Sequence, residues 1–410
     1  MDNHPRKTVF KEYIHPLDLK VVQKMIDHAK LDKYVKKLNS LSFLRLFLYA
    51  QLKGLSSLGR ISDKVNRKKS LQRAAGLTSI SKSQLSRRLR DLPPEIFQVI
   101  LQHLVQKLHQ EMGPWKAEKV LGKIHLIDSS TISMCLSQYR WADFRETKAG
   151  VKLHTSLVFM DGIAYPGQVI LTPARPADVT QLDALVGKTP GALHVFDRGY
   201  FDFEKFDTYC SQGIRFVTRL KSNTIVHVIE ELPVDSGSPI DRKAIVRIGK
   251  MRHPLLLVET HDGEGKQLTV VCNDLGKSAE EIGDLYRTRW QIELFFKWCK
   301  QHLILKKLYG KSRNAVFNQI YIAMIAYCLT LLMKQRVGYP GSLLNMFNWI
   351  GDLWTARMTR FIRKIFQKPE RSSEGRRRLN HEQVFEETLA QYESGDISHL
   401  DDLTYDPLFC

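Results

Sequence analysis

Residues 151–171 read VKLHTSLVFMDGIAYPGQVIL, and this stretch decides the fold that we expect. It contains two apolar runs joined at Asp161-Gly162, a residue pair that favours the tight turn of a β-hairpin. Apolar runs of this length with many β-branched residues predict strands. The stretch therefore predicts a hairpin of two apolar strands.

Strands and helices alternate on both sides of this hairpin. Upstream, VLGKIHLID is a strand-like run that ends at Asp128. Downstream come the helical stretch VTQLDALVG, the strand ALHVFD ending at Asp197, the helix FDFEKFDTYCSQG and the strand IRFVTRLK. This order predicts a mixed α/β sheet. Because open α/β sheets place their sites at the carboxyl ends of strands, both aspartates are candidate site residues.

The stretch YRTRWQIELFFKWCK, residues 286–300, predicts one amphipathic helix that carries a third acid. At about 100° per residue, Tyr286, Arg289, Glu293 and Lys300 fall on one narrow stripe. Apolar residues occupy the adjoining arc, which such a helix would bury. Taken alone, the stripe is explained equally well by a solvated charged face.

Two aspartates at strand ends and one glutamate on the stripe make a set of three acids. Hydrolysis and strand transfer of phosphodiesters use two divalent ions about 3.5–4 Å apart. Carboxylates suffice to hold Mg²⁺, which prefers oxygen ligands and keeps several waters. Singly, Asp128 and Asp197 could be turn caps and Glu293 a surface acid. Their joint occurrence favours a metal site that acts on a phosphodiester.

The charge of the chain indicates a polyanionic partner. There are 62 Lys and Arg against 43 Asp and Glu, a formal net charge of +19. DNA, RNA and an anionic membrane would all fit this excess. The longest apolar run, residues 320–333, is shorter than a membrane span and favours a buried core helix. The N-terminus lacks a signal-peptide run, so we expect an intracellular protein without a membrane partner.

Two GKS tripeptides do not indicate a nucleotide site. They occur at residues 276–278 and 310–312. A phosphate-cradling loop needs a glycine five residues before the Gly-Lys pair, and Val271 and Leu305 stand there instead. No use of ATP is expected.

The N-terminal part reads as helical and basic. Within residues 74–97, Gly76 provides a turn, and Ser81 or Ser83 caps a following helix. This pattern predicts a helix-turn-helix with a basic second helix that reaches DNA phosphates and base edges. A helical bundle with a basic solvent face is the alternative. The predicted DNA contacts on the second helix are Arg87 and Arg88.

The C-terminal part combines opposite charges. A basic helix is expected from Thr355 to Lys368, whereas residues 380–410 carry acidic but no basic side chains. The acidic tail could fold back on the basic helix or compete with DNA for it. Between Asp197 and Glu293, residues 222–275 read as a separate β-rich block.

Three motifs carry a resemblance to a known family. HLIDSST around Asp128, FDRGYFD around Asp197 and the spacing Y-x2-R-x3-E-x6-K from Tyr286 to Lys300 resemble DDE transposases of bacterial insertion sequences, specifically insertion-sequence family four. The third motif is the family's signature, and it is complete here. The resemblance extends from about Asp128 to Leu331.

The resemblance implies a ribonuclease H-like catalytic core with a β-rich insertion, an all-α domain before it and helices after it. It implies that Asp128, Asp197 and Glu293 hold two Mg²⁺ ions, for which Mn²⁺ substitutes. Tyr286, Arg289 and Lys300 would contact the phosphates next to the cleaved end. The expected segments are 1–115 as the DNA-binding domain, 116–221 and 278–335 as the core, 222–277 as the insertion, and 336–410 as the C-terminal region with its basic helix and acidic tail.

The resemblance also implies a reaction. Such an enzyme cleaves terminal inverted repeats with water and joins the freed 3′ hydroxyl to target DNA, as a homodimer on paired ends. We expect it in the bacterial cytoplasm, associated with the nucleoid. Relatives that use a DNA hairpin stack an aromatic residue of the insertion on a flipped base. Residues 222–280 contain no Phe, Tyr or Trp, so the route of second-strand release stays open.

Two other functions are compatible with parts of the sequence. A non-catalytic DNA-binding derivative of a transposase would keep the basic helices and lose the acids. A metal-dependent nuclease with the same core would cut without preference for repeat ends. The presence of all three acids favours the transposase over the non-catalytic derivative.

Overall fold

The computed structural model divides into two compact units. It describes residues 7–112, 123–160, 163–187, 191–234, 238, 240–261 and 267–367. Within these, the first unit holds residues 7–112, 135–142 and 298–367, and the second unit holds the rest of the described chain between 123 and 297. The acidic tail and the end of the expected basic helix lie outside the described residues.

One ten-stranded mixed sheet forms the second unit, in the order β2-β3-β1-β5-β6-β10-β9-β8-β7 with β4 paired to β3. β5 runs parallel to β1 and to β6. The pairs β6–β10, β10–β9, β9–β8 and β8–β7 are antiparallel, and so are the pairs of β3 with β2 and with β4. The predicted mixed α/β fold is confirmed. The strands are β1 (Ile124–Cys135), β2 (Asp143–Arg145), β3 (Lys148–Met160), β4 (Ile163–Pro173), β5 (Leu193–Phe196), β6 (Arg215–Arg219), β7 (Val226–Leu232), β8 (Ile240–Ile248), β9 (Leu255–His261) and β10 (Gln267–Cys272).

The predicted hairpin is formed by β3 and β4. Their register runs from Val151 opposite Pro173 to Met160 opposite Ile163. Residues 161–162, where the turn was expected, lie outside the described residues. Residues 149–158 of β3 are buried without interruption, which matches an unbroken apolar run better than an alternating one.

The strands of the insertion continue the core sheet, so the expectation of a separate β-rich block is wrong. β10 pairs with β6, from Val270 opposite Arg219 to Cys272 opposite Val217. The physical reason is burial, because β9 is largely apolar and β8 has apolar side chains at its buried positions. Side chains such as Val246 and Leu257 belong to the same hydrophobic cluster as Phe196 of β5.

The stretch at residues 286–300 forms the ends of two helices, so the expectation of one continuous helix is also wrong. Helix α10 (Ala279–Arg287) ends before Thr288, and α11 (Trp290–His302) begins two residues later. The Thr288 hydroxyl donates to the carbonyl of Leu285 at 2.6 Å. That carbonyl would accept from the Arg289 amide in a continuous α-helix, but this amide instead donates to the Tyr286 carbonyl at 3.1 Å. The second unit also contains α8 (Leu182–Val186) and α9 (Phe203–Ser211).

The first unit is helical in the described residues. Its centre is α12, whose residues 315–333 are all buried. This helix is long and apolar enough to cross a membrane, but its apolar part lies fully inside the fold, as predicted for a core helix. The helices of this unit, besides the end of α11, are α1 (Val9–Tyr13), α2 (Leu19–His28), α3 (Ser40–Leu52), α4 (Leu58–Arg67), α5 (Lys69–Ala75), α6 (Lys82–Asp91), α7 (Glu95–Met112), α12 (Arg313–Val337), α13 (Leu343–Asp352) and α14 (Met358–Ile365).

The turn and cap predicted within residues 74–97 are both present. Helix α5 ends at Gly76, whose φ of 70° lies in the left-handed region that glycine adopts without strain. Ser81 caps α6, and its side chain and that of Gln84 form a reciprocal capping box. The helix–turn–helix geometry expected between α5 and α6 therefore has the predicted local signals.

Candidate active site

Two neighbouring parallel strands bring Asp128 and Asp197 together. The register of β1 and β5 ends with Ile127 opposite Phe196, so each aspartate directly follows one member of this pair. Residues in register on parallel strands point to the same face. We expected β1 to end at Asp128, but it continues to Cys135. The β-branched residues after Asp128 favour an extended chain. Asp128 instead marks the end of the parallel pairing.

The connection between α10 and α11 brings the third acid to this pair. Arg289 is buried, with 8% of its surface exposed, and its guanidinium contacts Glu293 Oε1 at 2.5 Å and Asp128 Oδ2 at 3.4 Å. The Tyr286 hydroxyl donates to Asp197 Oδ1 at 3.4 Å. Direct contacts thus join Arg289 to Asp128 and Glu293, and Tyr286 to Asp197.

Backbone amides hold the two aspartates in place. The amide of Ser129 donates to Asp128 Oδ1, and the amide of Arg198 donates to Asp197 Oδ1, each at 2.7 Å. These short contacts fix one oxygen of each carboxylate and leave the second oxygen to the site.

Burial dominates the protonation of Asp128. Desolvation raises its pKa to about 7, and the charges of Glu293 and Asp197 act in the same direction. Arg289 and the Ser129 amide oppose this shift by stabilising the carboxylate. Two neighbouring carboxylates therefore disfavour the charge of Asp128, and a guanidinium stabilises it, so this place favours added positive charge.

A fourth acid, which the sequence reasoning missed, lies next to the site. Asp178 Oδ1 accepts from the Ser129 hydroxyl at 2.9 Å and from Lys152 Nζ at 3.0 Å. His154 Nδ1 lies 3.6 Å from the same oxygen, and its Nε2 lies 2.8 Å from Thr172 Oγ1. Lys152 and His154 are both buried in this cluster. No sequence signal points to Asp178, because it precedes a short helical segment rather than ending a strand.

The three predicted metal ligands have suitable chemistry for a divalent ion, but their present spacing does not bring all three around one ion. Carboxylate oxygens are the ligands that Mg²⁺ prefers. Among the described residues, however, no three His, Cys, Asp or Glu side chains are close enough to hold one metal ion. The Arg289 guanidinium lies between Asp128 and Glu293, where a cation would bind, so it has to withdraw before the acids can share one.

The remaining predicted DNA contacts lie in the first unit. Lys300 is half-buried in the last turn of α11, seven residues after Glu293. Arg87 is exposed on α6 and stays a predicted contact. Arg88 points inward, where its guanidinium donates to Asp32 Oδ1 at 2.5 Å and to Ser40 Oγ at 2.7 Å. These bonds weigh against a contact between Arg88 and DNA.

Comparisons with known proteins agree with this geometry. The family model described as "Transposase DDE domain" matches residues 121–329, about half of the chain and all three predicted metal ligands. A second family model, for a domain of unknown function (DUF4372), matches residues 5–78 in the N-terminal helices.

Two curated relatives carry transposase names. The chain is 30% identical over 267 residues to the "Probable transposase for insertion sequence element IS5377" of Geobacillus stearothermophilus, which covers 62% of this chain and 67% of the relative. It is 32% identical over 218 residues to a protein of Sinorhizobium fredii named as a transposase, y4zB, which covers 50% of this chain and 59% of the relative. The matches thus span about three fifths to two thirds of the relatives' length.

A solved structure of a piggyBac transposase synaptic complex with hairpin DNA is a weaker match. It covers 98% of this chain and 86% of that chain, with a TM-score of 0.45 and 11% identity. The family assignment therefore rests on the sequence matches, which include the residues of the site. The chain belongs to the DDE transposase family, whose members act on DNA with divalent metal ions.

Proposed function

We propose that the protein cleaves the terminal inverted repeats of an insertion sequence by Mg²⁺-dependent hydrolysis and joins the 3′ hydroxyl to target DNA. The observation that carries this proposal is the contact of Arg289 with both Asp128 and Glu293, beside Asp197. Two carboxylates that share one guanidinium, with a third carboxylate beside them on the matched DDE domain, suit the binding of metal and phosphate. The signature spacing supports insertion-sequence family four.

The chain's own residues divide this work. Asp128, Asp197 and Glu293 would hold two Mg²⁺ ions, or Mn²⁺ in their place. When bound, such ions activate the attacking oxygen and stabilise the leaving one. Arg289, once displaced from the acids, is free to donate to a phosphate oxygen. Tyr286 can move from Asp197 to the same phosphate, and Lys300 extends the phosphate contacts along α11.

DNA recognition outside the site is assigned to the first unit. We propose that α6 contacts the repeat through Arg87, because this side chain is exposed on a helix with the predicted cap and turn. A homodimer on paired ends would supply two sites for the two transposon ends, in the bacterial cytoplasm at the nucleoid.

The decisive experiment maps DNA breaks. Purified protein is incubated with Mg²⁺ and DNA that carries the inverted repeats flanking the gene, and both strands are sequenced at their ends. Cuts confined to the repeat tips, followed by joining of the 3′ ends to a second DNA, are the expected result. Scattered nicks would favour a nuclease, and binding without cuts in either Mg²⁺ or Mn²⁺ would favour a non-catalytic derivative.

A further inference from the structure

A cleft of about 940 Å³ lies within the first unit, and none of the acids of the candidate active site lines it. Helices α1, α2, α3, α5, α7 and α12 contribute side chains to it, together with the connection that precedes α14. We call it the basic cleft, because six cations line it against two acids. The cations are Lys11, Lys20, Arg45, Arg73, Lys107 and Arg336.

The basic cleft holds more positive charge than its own acids neutralise. Glu111 is engaged by Arg336, with contacts of 2.5 and 3.0 Å, and Lys107 Nζ donates to the carbonyl of Pro16 at 2.6 Å. The carboxylate of Asp18 accepts from the Val21 amide at the start of α2. Two cations and both acids are therefore accounted for by contacts within the fold.

Four cations of the basic cleft have no such engagement. The side chains of Lys11, Lys20, Arg45 and Arg73 form no hydrogen bond or ion pair with any residue that the structure describes. Arg45 is the most confined of them, and its Nε is buried without a hydrogen-bond partner among those residues. Leaving a buried donor without a partner is unfavourable, so an anion that reaches it is favoured.

The walls between these cations are apolar. Phe10, Ile14 and Trp354 line the cleft, and Phe10 packs edge-on against Trp354 with ring centroids 6.0 Å apart. An occupant that matches the whole surface needs acidic groups and apolar side chains together. The DNA backbone offers phosphates but nothing for the apolar wall, so an acidic peptide segment fits better.

This chain carries a segment of that composition in its acidic tail. Residues 380–410 contain eight Asp and Glu and no Lys or Arg, with Phe, Leu, Ile, Val and Tyr between the acids. Thr355 lines the cleft, and the described chain continues through α14 only as far as Gln367. The residues between Gln367 and Asn380 can span up to about 45 Å, which is enough to return to the cleft.

We propose that the basic cleft binds the acidic segment of residues 380–410 of the same chain. Binding in cis gains from the tether, because a short linker gives an effective concentration in the millimolar range. The acids neutralise Lys11, Lys20, Arg45 and Arg73, and the apolar side chains cover Phe10 and Trp354. The contact does not depend on the catalytic proposal, since no residue of the site takes part.

Carbodiimide cross-linking of the full-length protein tests the contact directly. The reagent joins a lysine amine to a carboxylate in contact with it, and mass spectrometry identifies the joined peptides. We expect links from Lys11 and Lys20 to carboxylates of residues 380–410, and none from the exposed Lys82 outside the cleft. A mixture of ¹⁵N-labelled and unlabelled protein should give links within one copy only.

Charge reversal supplies the matched control. Lys20→Glu with Arg73→Glu should lower the yield of the Lys11 link at least five-fold, because both side chains are exposed at the cleft and their loss does not disturb the core. Lys64→Glu, on the exposed side of α4, should leave that yield unchanged. The proposal is overturned if links are absent, join two copies, or form equally with Lys82. It is also overturned if duplex DNA protects Lys11 and Lys20 from acetylation while no tail links form.

Discussion

Arg88 and Arg289 each bridge acidic and polar groups, but the charge around them differs. Arg88 in the first unit is ion-paired with one acid, Asp32, whose Oδ1 also accepts from the amide and hydroxyl of Ser40 at 2.9 and 2.8 Å. The other acid that acts on Arg88, Asp91, is itself paired with Arg90. Arg289 in the second unit faces Asp128 and Glu293, with Asp197 close by.

The difference separates a structural ion pair from a site. Around Arg88 the charges of the ion pair balance, and a hydroxyl, an amide and a carbonyl group bond to the pair, although Arg88 Nε has no hydrogen-bond partner among the described residues. Around Arg289 the negative charge is in surplus. Such a surplus is costly unless a cation binds, so charge balance distinguishes the two arginines where sequence alone does not.

We expect the largest effect from replacing one of the acids around Arg289. Glu293→Gln keeps the shape of α11 but removes a predicted metal ligand, so we expect cleavage at the repeat tips to fall by about 10³-fold or more. Gel analysis of the cleaved ends measures this. Asp284→Asn, an exposed acid on α10, is the matched control and should cut at the wild-type rate. A Glu293→Gln protein that cuts normally would remove the site assignment.

Breaking the balanced pair should act on stability instead. Arg88→Ala leaves Asp32 partly buried without its counter-ion, and we expect a loss of about 2–3 kcal/mol in the free energy of unfolding. Both side chains are at most 20% exposed, so water screens the pair only partly. Urea denaturation of Arg88→Ala and of the exposed neighbour variant Arg87→Ala tests this. Equal stability of the two variants would show that the pair is not structural.

The surplus also predicts a pH dependence in metal-free protein. The pKa of Asp128 is raised from 3.8 to about 7, so the folded state binds this proton more tightly than the unfolded state. The stabilisation of the folded state by this proton is therefore complete below about pH 4 and is lost as the pH rises through 7. Because the carboxylate is 23% exposed, we expect wild type to lose only about 1–2 kcal/mol relative to Asp128→Asn between pH 4 and 8.

Urea denaturation in EDTA across this pH range measures the difference. The control Asp284→Asn, whose acid is exposed, should run parallel to wild type. If wild type becomes more stable relative to Asp128→Asn as the pH rises, negative charge is not in surplus around Arg289.

The smallest expected effect concerns Arg289 itself. Arg289→Gln removes the guanidinium that lies between Asp128 and Glu293, so Mn²⁺ binding without DNA should tighten by about 3–10-fold. Isothermal titration calorimetry measures this affinity. DNA cleavage should fall at the same time, because the proposed phosphate contact is lost. Weaker Mn²⁺ binding would mean that Arg289 organises the acids rather than competing with the metal.

The sequence predicted the local parts of this comparison well. The strand that contains Asp128 and the strand that precedes Asp197 follow from apolar patterning, and the Ser81 cap and Gly76 turn follow from backbone chemistry over a few residues. The confirmed core position of α12 follows from its unbroken apolar run. Each of these signals lies within one turn, one helix or one strand.

The contacts that the sequence did not reveal join distant parts of the chain. Arg88 looks like a basic surface residue until Asp32, 56 positions earlier, is placed beside it. Asp178 reaches the site only through Ser129, 49 positions away. The pairing of β10 with β6 likewise depends on which apolar surface the core must cover. The break at Thr288 is local, but it depends on one hydroxyl that donates to a backbone carbonyl. The spacing of apolar and polar residues along the helix does not indicate such a hydrogen bond.

That break has a consequence for how the gene can vary. Substitutions on the outer face of α11 leave Glu293 where it is, because the helix still starts at the same residue. One codon inserted or deleted between Thr288 and Glu293 would rotate the glutamate by about 100° away from Asp128. Substitutions on the outer face of this helix are therefore tolerable. A single change in chain length between Tyr286 and Glu293, in contrast, would inactivate the protein.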